Sequence, residues 1–505
     1  MTADRPLVAG LLELCGETAA SLPEGPERAG VDQVAQRLAR PLQVTVGGGV
    51  SSGKSTLVNA LLGQRVAAVD AGECTRVVTR FCHDHHERAE VRGKDGGSRV
   101  LPLDKGGVPT ELGVPADEVD EVVVFLSNRG LTQVNIIDTP GMNTVTTRNE
   151  QTTAGFLGLA ADDEAGRQTA TRMGRADALI FLMPHLRQAD AAVLQGFRDL
   201  YAGSGLSAFN AVGILSKVDQ LTRQGDPVQA AQQIAGRVEE QTAGMLSQVL
   251  PVLGLLAETG ATARLTEDDA RALATVAGFG DDLDREDLLL SADTFLGEPG
   301  LEVPVAHRRR LLSLLDLYGV TICCAAIDRG ARGAAALLEL LTRSSGLDPL
   351  RQIIFGRLGG HAELIKAAAA MGELRRLSYR QVSDPYVGAT LGRLREALDH
   401  LEFDPALHQL RVVQVLQDAV SGQFRLPGSL LVDVERIAAH TDPVLRSGAE
   451  RMAGVPEAAL AGASRWGRFA NDPRRSPADA HRARVVKEAY ELLWQQASAI
   501  TGVPR

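Results

Sequence analysis

Aromatic side chains are scarce in this chain, 4% of 505 residues with two tryptophans, which leaves few platforms for stacking the bases of single-stranded nucleic acid. Positive charge is in deficit. The 53 Lys and Arg face 63 Asp and Glu, a formal charge of −10, so no global field draws the chain to DNA, RNA or anionic lipid, and any such contact needs a local basic patch. Cysteine is sparse and odd in number (Cys15, Cys74, Cys82, Cys323 and Cys324), which argues against a disulfide framework and fits a reducing compartment. Long uncharged apolar runs are missing too: the most apolar stretch, 311–327, carries Asp316 and is broken by Gly319, a poor transmembrane helix. The opening MTADRPLVAG has no basic segment leading into an apolar run and a small-residue cleavage site, so a cytoplasmic chain is expected.

What is present is ordinary for a folded protein. Apolar residues make up 44% and charged residues 23%, near globular averages, and at about 100–200 residues per domain the length predicts two to four folded units. Residues 6–41 hold two amphipathic helical patterns, too short to be stable alone. From Leu42 the pattern changes to LQVTV, a run of glycines and the helical STLVNALLG: strand, glycine loop and helix in series. Strand-like runs follow at RVVTRFC, VDEVVVFL, QVNIID, DALIFLM, FNAVGILS and VTICCAA, mostly apolar throughout, as buried parallel strands are. Beyond Gly359 the periodicity is helical only. The expectation is an α/β domain with a mostly parallel sheet over residues 42–358. An all-α bundle of residues 359–505, with the helices of 1–41 packed on it, completes the plan.

Three segments carry chemistry. Gly48-Gly-Val-Ser-Ser-Gly-Lys-Ser55 fits the P-loop, in which a turn of backbone N–H groups wraps phosphates and the following helix adds its positive end. Gly48, Gly49, Val50, Ser51, Ser52, Gly53 and Thr56 would line that cradle, Lys54 would reach the β- and γ-phosphates, and Ser55 would hold Mg²⁺. Asp138-Thr-Pro-Gly141 ends a strand, where Asp138 can meet Mg²⁺ through water and the Gly141 N–H can sense the γ-phosphate. Ser216-Lys-Val-Asp219 ends another. There the Asp219 carboxylate can accept from guanine N1–H and the 2-amino group, rejecting adenine, while the Lys217 stem lies along the base. Three such elements at the carboxyl ends of strands are where an α/β sheet places its ligand, and they predict GTP. Between the first two, Thr75 in Gly72-Glu-Cys-Thr75 is placed by order to close on Mg²⁺ when the γ-phosphate is present. Met142 stands where Ras-like GTPases carry the glutamine that orients water.

GGGVSSGKST, ECTR, DTPGM and SKVD, in this order and with a long segment between the second and third, resemble the dynamin superfamily of large GTPases. PLQVTVGGGVSSGKSTLVNALLG, VDAGECTRVVTRF and AALLELLTRSSGLDPLR look most like its actinobacterial isoniazid-inducible members. The resemblance implies a GTPase domain joined to a helical neck and trunk, GTP-driven self-association across the nucleotide face, and membrane remodelling at the inner face of the membrane. It implies catalytic roles for Ser51, Lys54 and Thr75, with a monovalent cation near Ser51 in place of an arginine finger. Met142 matches that family's pattern. Val50, Ser216 and Leu253 depart from the residues usual at their positions, and the helical tail is short. The short tail, Val50 and Leu253 favour an alternative, a GTP-binding scaffold subunit with low turnover that serves a paralogous membrane-binding partner.

Four further features are weighed as ordinary structure. The adjacent residues of Cys82-His-Asp-His-His86 cannot all converge on one ion, and the segment is expected to be a loop after a strand. Cys323 and Cys324 are expected to pack inside an apolar strand. The loop Phe424-Arg-Leu-Pro-Gly-Ser-Leu-Leu431 and the basic stretch from Arg465 to Lys487, which includes Trp466, are the two candidates for lipid contact. Their competing readings are a helix connection and a solvated helix face.

Overall fold

The computed structural model describes residues 7–67, 77–104, 107–109, 111–139, 176–200, 208–220, 227–242, 245–401, 408, 411–412, 415–416, 418–419, 424–440 and 455–501. Nine strands form one sheet: β1 Leu42–Gly48, β2 Thr79–His83, β3 Arg88–Gly93, β4 Ser98–Leu101, β5 Val119–Leu126, β6 Val134–Asp138, β7 Ala178–Met183, β8 Ala211–Leu215 and β9 Val249–Pro251. Their order is β4-β3-β5-β2-β6-β1-β7-β8-β9. From β6 through β9 every pairing is parallel, and so is β2 on β5. The pairs β2–β6, β3–β5 and β3–β4 are antiparallel. All seven residues of β1 and all six of β7 are buried, the double-sided burial that lets parallel central strands read as continuous apolar runs. Each Val, Ile or Leu buried there contributes about 1.5–3 kcal/mol of transfer free energy.

The helices that position the site are α1 Leu7–Ala20, α2 Pro26–Leu38, α3 Lys54–Leu62, α4 Gln188–Leu200, α5 Pro227–Gln241, α6 Gly254–Ala261, α7 Glu267–Ala277, α8 Val305–Asp328 and α9 Gly333–Ser344. Helices α10 Ala362–Ser378, α11 Pro385–Leu401, α12 Gly428–His440, α13 Val455–Ala470 and α14 Pro477–Thr501 follow. The N-terminal pair packs on α10, so closely that a side chain on Gly30 would strike Leu377. Arg37 of α2 pairs with Glu373 of α10 at 3.0 Å and reaches the buried Asp177 before β7 at 3.6 Å. Lys366 donates to the carbonyls of Leu38 and Arg40 at 3.0 and 2.8 Å. These contacts tie the helices directly to the start of β1. One apolar core runs from Leu7 to Leu398, and a second, around Trp466, gathers residues from Val412 to Tyr490.

Two expectations about elements need correction. VTICCAA is not a strand: it lies in α8, with Cys323 and Cys324 buried in the core facing α7. A short apolar run has no periodicity of its own to separate buried strand from buried helix. Among the described residues α8 is the one helix long and apolar enough to cross a membrane, yet it packs against α6, α7 and α9. It bends at Asp316, whose φ of 53° is left-handed. Thr259 of α6 takes up the Leu314 carbonyl beside the bend at 2.6 Å, a side chain inserted where the helical ladder breaks. The second correction is the unanticipated edge hairpin β3–β4, whose charged Arg88, Glu90 and Arg92 alternate with buried Ala89 and Val91.

Candidate functional site

The carboxyl ends of β1, β6, β7 and β8 meet along one rim of the sheet, and the motif residues gather there. Strand β1 runs directly into the P-loop. Gly48 has φ 147° and approaches β7 so closely that a Cβ would lie 2.4 Å from the Leu182 carbonyl, so only glycine fits. Ser51 and Gly53 are also left-handed, at φ 57° and 94°, which curls the backbone before α3 begins at Lys54. The Lys54 ammonium is buried and donates to the Gly48 and Gly49 carbonyls at 3.2 and 2.8 Å. Burial pushes its pKa down, and Asp138 opposes that shift. The cradle thus presents a desolvated cation beside the positive end of a helix, where an anionic polyphosphate gains most.

Ser55 donates to Asp138 Oδ2 at 2.8 Å. Loss of solvent pushes the Asp138 carboxyl up to about 6 against the pull of Ser55 and Lys54, and its Oδ1 is buried with no hydrogen-bond partner. A serine hydroxyl and an unsatisfied carboxylate oxygen are the hard oxygen donors that Mg²⁺ takes, so these residues fit that ion. Thr139 braces the end of β6 by donating to the Val46 carbonyl at 2.8 Å. Thr75, Gly141 and Met142 lie outside the described residues.

At the end of β8, Ser216 donates its N–H to Met183 of β7 at 2.9 Å, and its buried hydroxyl has no partner. Lys217 follows at φ 54°, the turn that brings Asp219 round in a short 3-10 segment. Burial raises the Asp219 pKa. The nearby Asp316 raises it further, and Lys217 opposes both. Asp316 comes from the bend of α8, nearly a hundred residues downstream, and sequence order holds no signal for that approach.

The loop after β9 departs from the family pattern in a way the fold explains. Leu253 is buried in the core while its N–H bonds the Ser345 carbonyl at 2.9 Å, so its side chain is spent on packing. Glu258 of α6 is a structural tie: it accepts from Asn59 of α3 at 2.8 Å and lies 3.5 Å from Arg65. Asn59 also accepts from the Val66 and Ala67 N–H groups at 2.9 and 2.7 Å and donates to the Ala67 carbonyl at 3.1 Å. One buried amide therefore anchors the chain leaving the P-loop helix. Asn59→Ala is expected to cost about 2–3 kcal/mol, because it strands buried partners on three sides. A denaturant midpoint equal to the wild type's would reject that role.

In both lipid-contact candidates the large aromatic side chain is interior. Phe424 and Trp466 are fully buried and packed with Phe469. Four cations of the basic stretch are ion-paired, Arg465 with Asp433, Arg474 with Asp472, Arg482 with Asp418 and Lys487 with Glu491, while Arg465, Arg468, Arg474 and Arg484 remain exposed, as on a solvated helix face. In the histidine-rich segment Asp84 pairs with Arg88 at 2.7 Å. Sequence reasoning also passed over Arg187, which follows β7 and lies against Gly49 of the P-loop.

The model of the Dynamin family matches residues 44–197. The Isoniazid-induced protein IniC of Mycobacterium tuberculosis, in strains CDC 1551 / Oshkosh and ATCC 25618 / H37Rv, is 30% identical over 485 residues, covering 93% of this chain and 93% of the relative. Two solved structures of an oligomerised bacterial dynamin pair, described as a mechanism for long-range sensing and tethering of membranes, match at 10% and 11% identity. They cover 99% and 98% of this chain and 75% of their own, each with a TM-score of 0.35.

Proposed function

The chain belongs to the dynamin family of GTPases, and from that premise we propose that it hydrolyses GTP with Mg²⁺ and couples nucleotide-dependent self-association to membrane remodelling. The observation that carries the reading is the convergence of the Lys54 ammonium, the Ser55–Asp138 pair and the Asp219 carboxylate along one rim of the sheet. Lys54 and the N–H groups of residues 48–56 hold the phosphates, Ser216, Lys217 and Asp219 hold guanine, and Ser55, Asp138 and Thr75 hold the ion. Mg²⁺ supplies charge neutralisation on the phosphate oxygens. Ser51 and Thr75 act on the phosphate side of the reaction, and Gly141 reports the γ-phosphate. Residues 42–358 serve as the GTPase domain and residues 1–41 with 359–505 as the neck and trunk, a division supported by the packing of α1 and α2 on α10.

A second reading gains from a specific observation. Phe424 and Trp466, the aromatics of the two lipid-contact candidates, are interior, and the second reading is a scaffold subunit whose paralogous partner touches lipid. Sedimentation with anionic liposomes in the presence of a non-hydrolysable GTP analogue separates the two. Pelleting of this protein alone supports direct membrane work; retention in the supernatant rejects it and leaves the partner-dependent subunit.

A further inference from the structure

The β7–α4 connection places an arginine against Gly49 of the P-loop, and the sequence motifs do not account for it. Strands β1 and β7 pair in parallel with Gly48 opposite Leu182, so the chain leaving β7 emerges beside the chain leaving β1. There Arg187 lays its guanidinium against Gly49. A Cβ built on Gly49 would lie 2.7 Å from Nη2, 3.6 Å from Cζ and 3.7 Å from Nη1, so glycine at 49 makes room for the fork. Asp190, 1% exposed, fixes that fork by accepting from Nε at 3.0 Å and Nη2 at 3.1 Å while also taking the Arg187 backbone N–H at 3.0 Å. Among the described residues the Nη1 edge donates to nothing, and the Arg187 side chain keeps partial exposure. The neighbouring Val50 is exposed, and its side chain offers no polar atom. A buried carboxylate that holds a guanidinium by one edge and leaves the other edge beside a phosphate cradle is a positioned donor.

We propose that Arg187 is a catalytic residue of the GTPase reaction, supplying from within the same chain the positive charge that an arginine finger or a monovalent cation supplies elsewhere. This rests on the GTPase reading above. As water oxygen bonds to the γ-phosphorus and the bond to the β–γ bridging oxygen breaks, the electron pair moves onto the β-phosphate of GDP, and the water proton leaves with inorganic phosphate. A fixed guanidinium beside the P-loop stabilises that developing charge without reorganisation.

The test compares wild type, Arg187→Ala and Arg187→Lys in potassium, sodium and choline chloride at equal ionic strength, reading phosphate release together with affinities for GDP and GTPγS. Wild-type turnover is expected to agree within about twofold across the three salts. Arg187→Ala should lose about 10²-fold in turnover and about tenfold in GTPγS affinity relative to GDP, with Arg187→Lys between. Turnover that collapses in choline overturns the proposal in favour of a bound cation. So does an Arg187→Ala protein whose turnover and GTPγS-to-GDP ratio both match the wild type. Failure of the wild type to bind either nucleotide would instead sink the GTPase reading itself.

Discussion

Lys54→Ala removes turnover down to the level of a protein-free blank. The ammonium is buried at the base of the P-loop, and it already sits on the Gly48 and Gly49 carbonyls at hydrogen-bond distance, a short side-chain swing from where phosphates lie. Hydrogen bonds to a charged donor are worth about 1.5–3 kcal/mol each, and the β- and γ-phosphates both lose theirs. Loss of those two bonds weakens GTP binding by more than about 10²-fold before any effect on the chemical step. The fold should survive, because burial disfavours the charged Lys54 in the absence of nucleotide; an unchanged thermal transition checks this. Turnover close to wild type in a folded Lys54→Ala protein would remove the P-loop from the account.

Asp219→Asn transfers preference from guanine to xanthine. A carboxylate accepts from both N1–H and the 2-amino group of guanine. The asparagine amide can accept one hydrogen bond and presents a donor where the second was accepted, which suits the 2-carbonyl of xanthine. Sites that read a base through buried polar groups reject the mismatched analogue by on the order of 10⁴-fold, so the ratio of GTP to XTP affinity should change by about 10³-fold or more. Burial and Asp316 already hold the Asp219 pKa above its ordinary value. Relief of that repulsion lets the asparagine variant fold at least as stably as the wild type. Undiminished GTP-over-XTP selectivity would mean that another group reads the base.

The central part of the molecule was legible because its signals have local mechanisms. A glycine-rich turn between an apolar strand and a helix needs left-handed residues and a buried lysine, and Gly48, Ser51, Gly53 and Lys54 have those properties. Strands β7 and β8 could be read because burial on both faces makes them continuously apolar. The edge hairpin escaped because Arg88, Glu90 and Arg92 face outward on β3 and mask its two buried positions. The run around Cys323 and Cys324 misled because apolarity reports burial and not helix or strand. Thr75, Gly141 and Met142 belong to the sequence argument alone, since they lie outside the described residues.

Long-range approach is the other thing sequence order hides. Arg187 in MPHLRQAD has no pattern that singles it out, and it reaches Gly49 only because β7 pairs with β1. Asp316 nears Asp219 only because α8 bends. Leu253 reads as a departure from a base-contacting residue, yet it serves the core between β9 and α6. Trp466 and its surrounding arginines look like a lipid-seeking patch in one dimension. In three they are a buried indole beneath a solvated helix face on which Arg465 and Arg482 are ion-paired.

The most direct test of the central claim is phosphate release from GTP per molecule of protein, measured against protein concentration with Lys54→Ala as the blank. The account predicts Mg²⁺-dependent release whose specific rate climbs with concentration, as association through the nucleotide face requires. Release no greater than the Lys54→Ala blank at every concentration, from a protein that binds GTP, would contradict it.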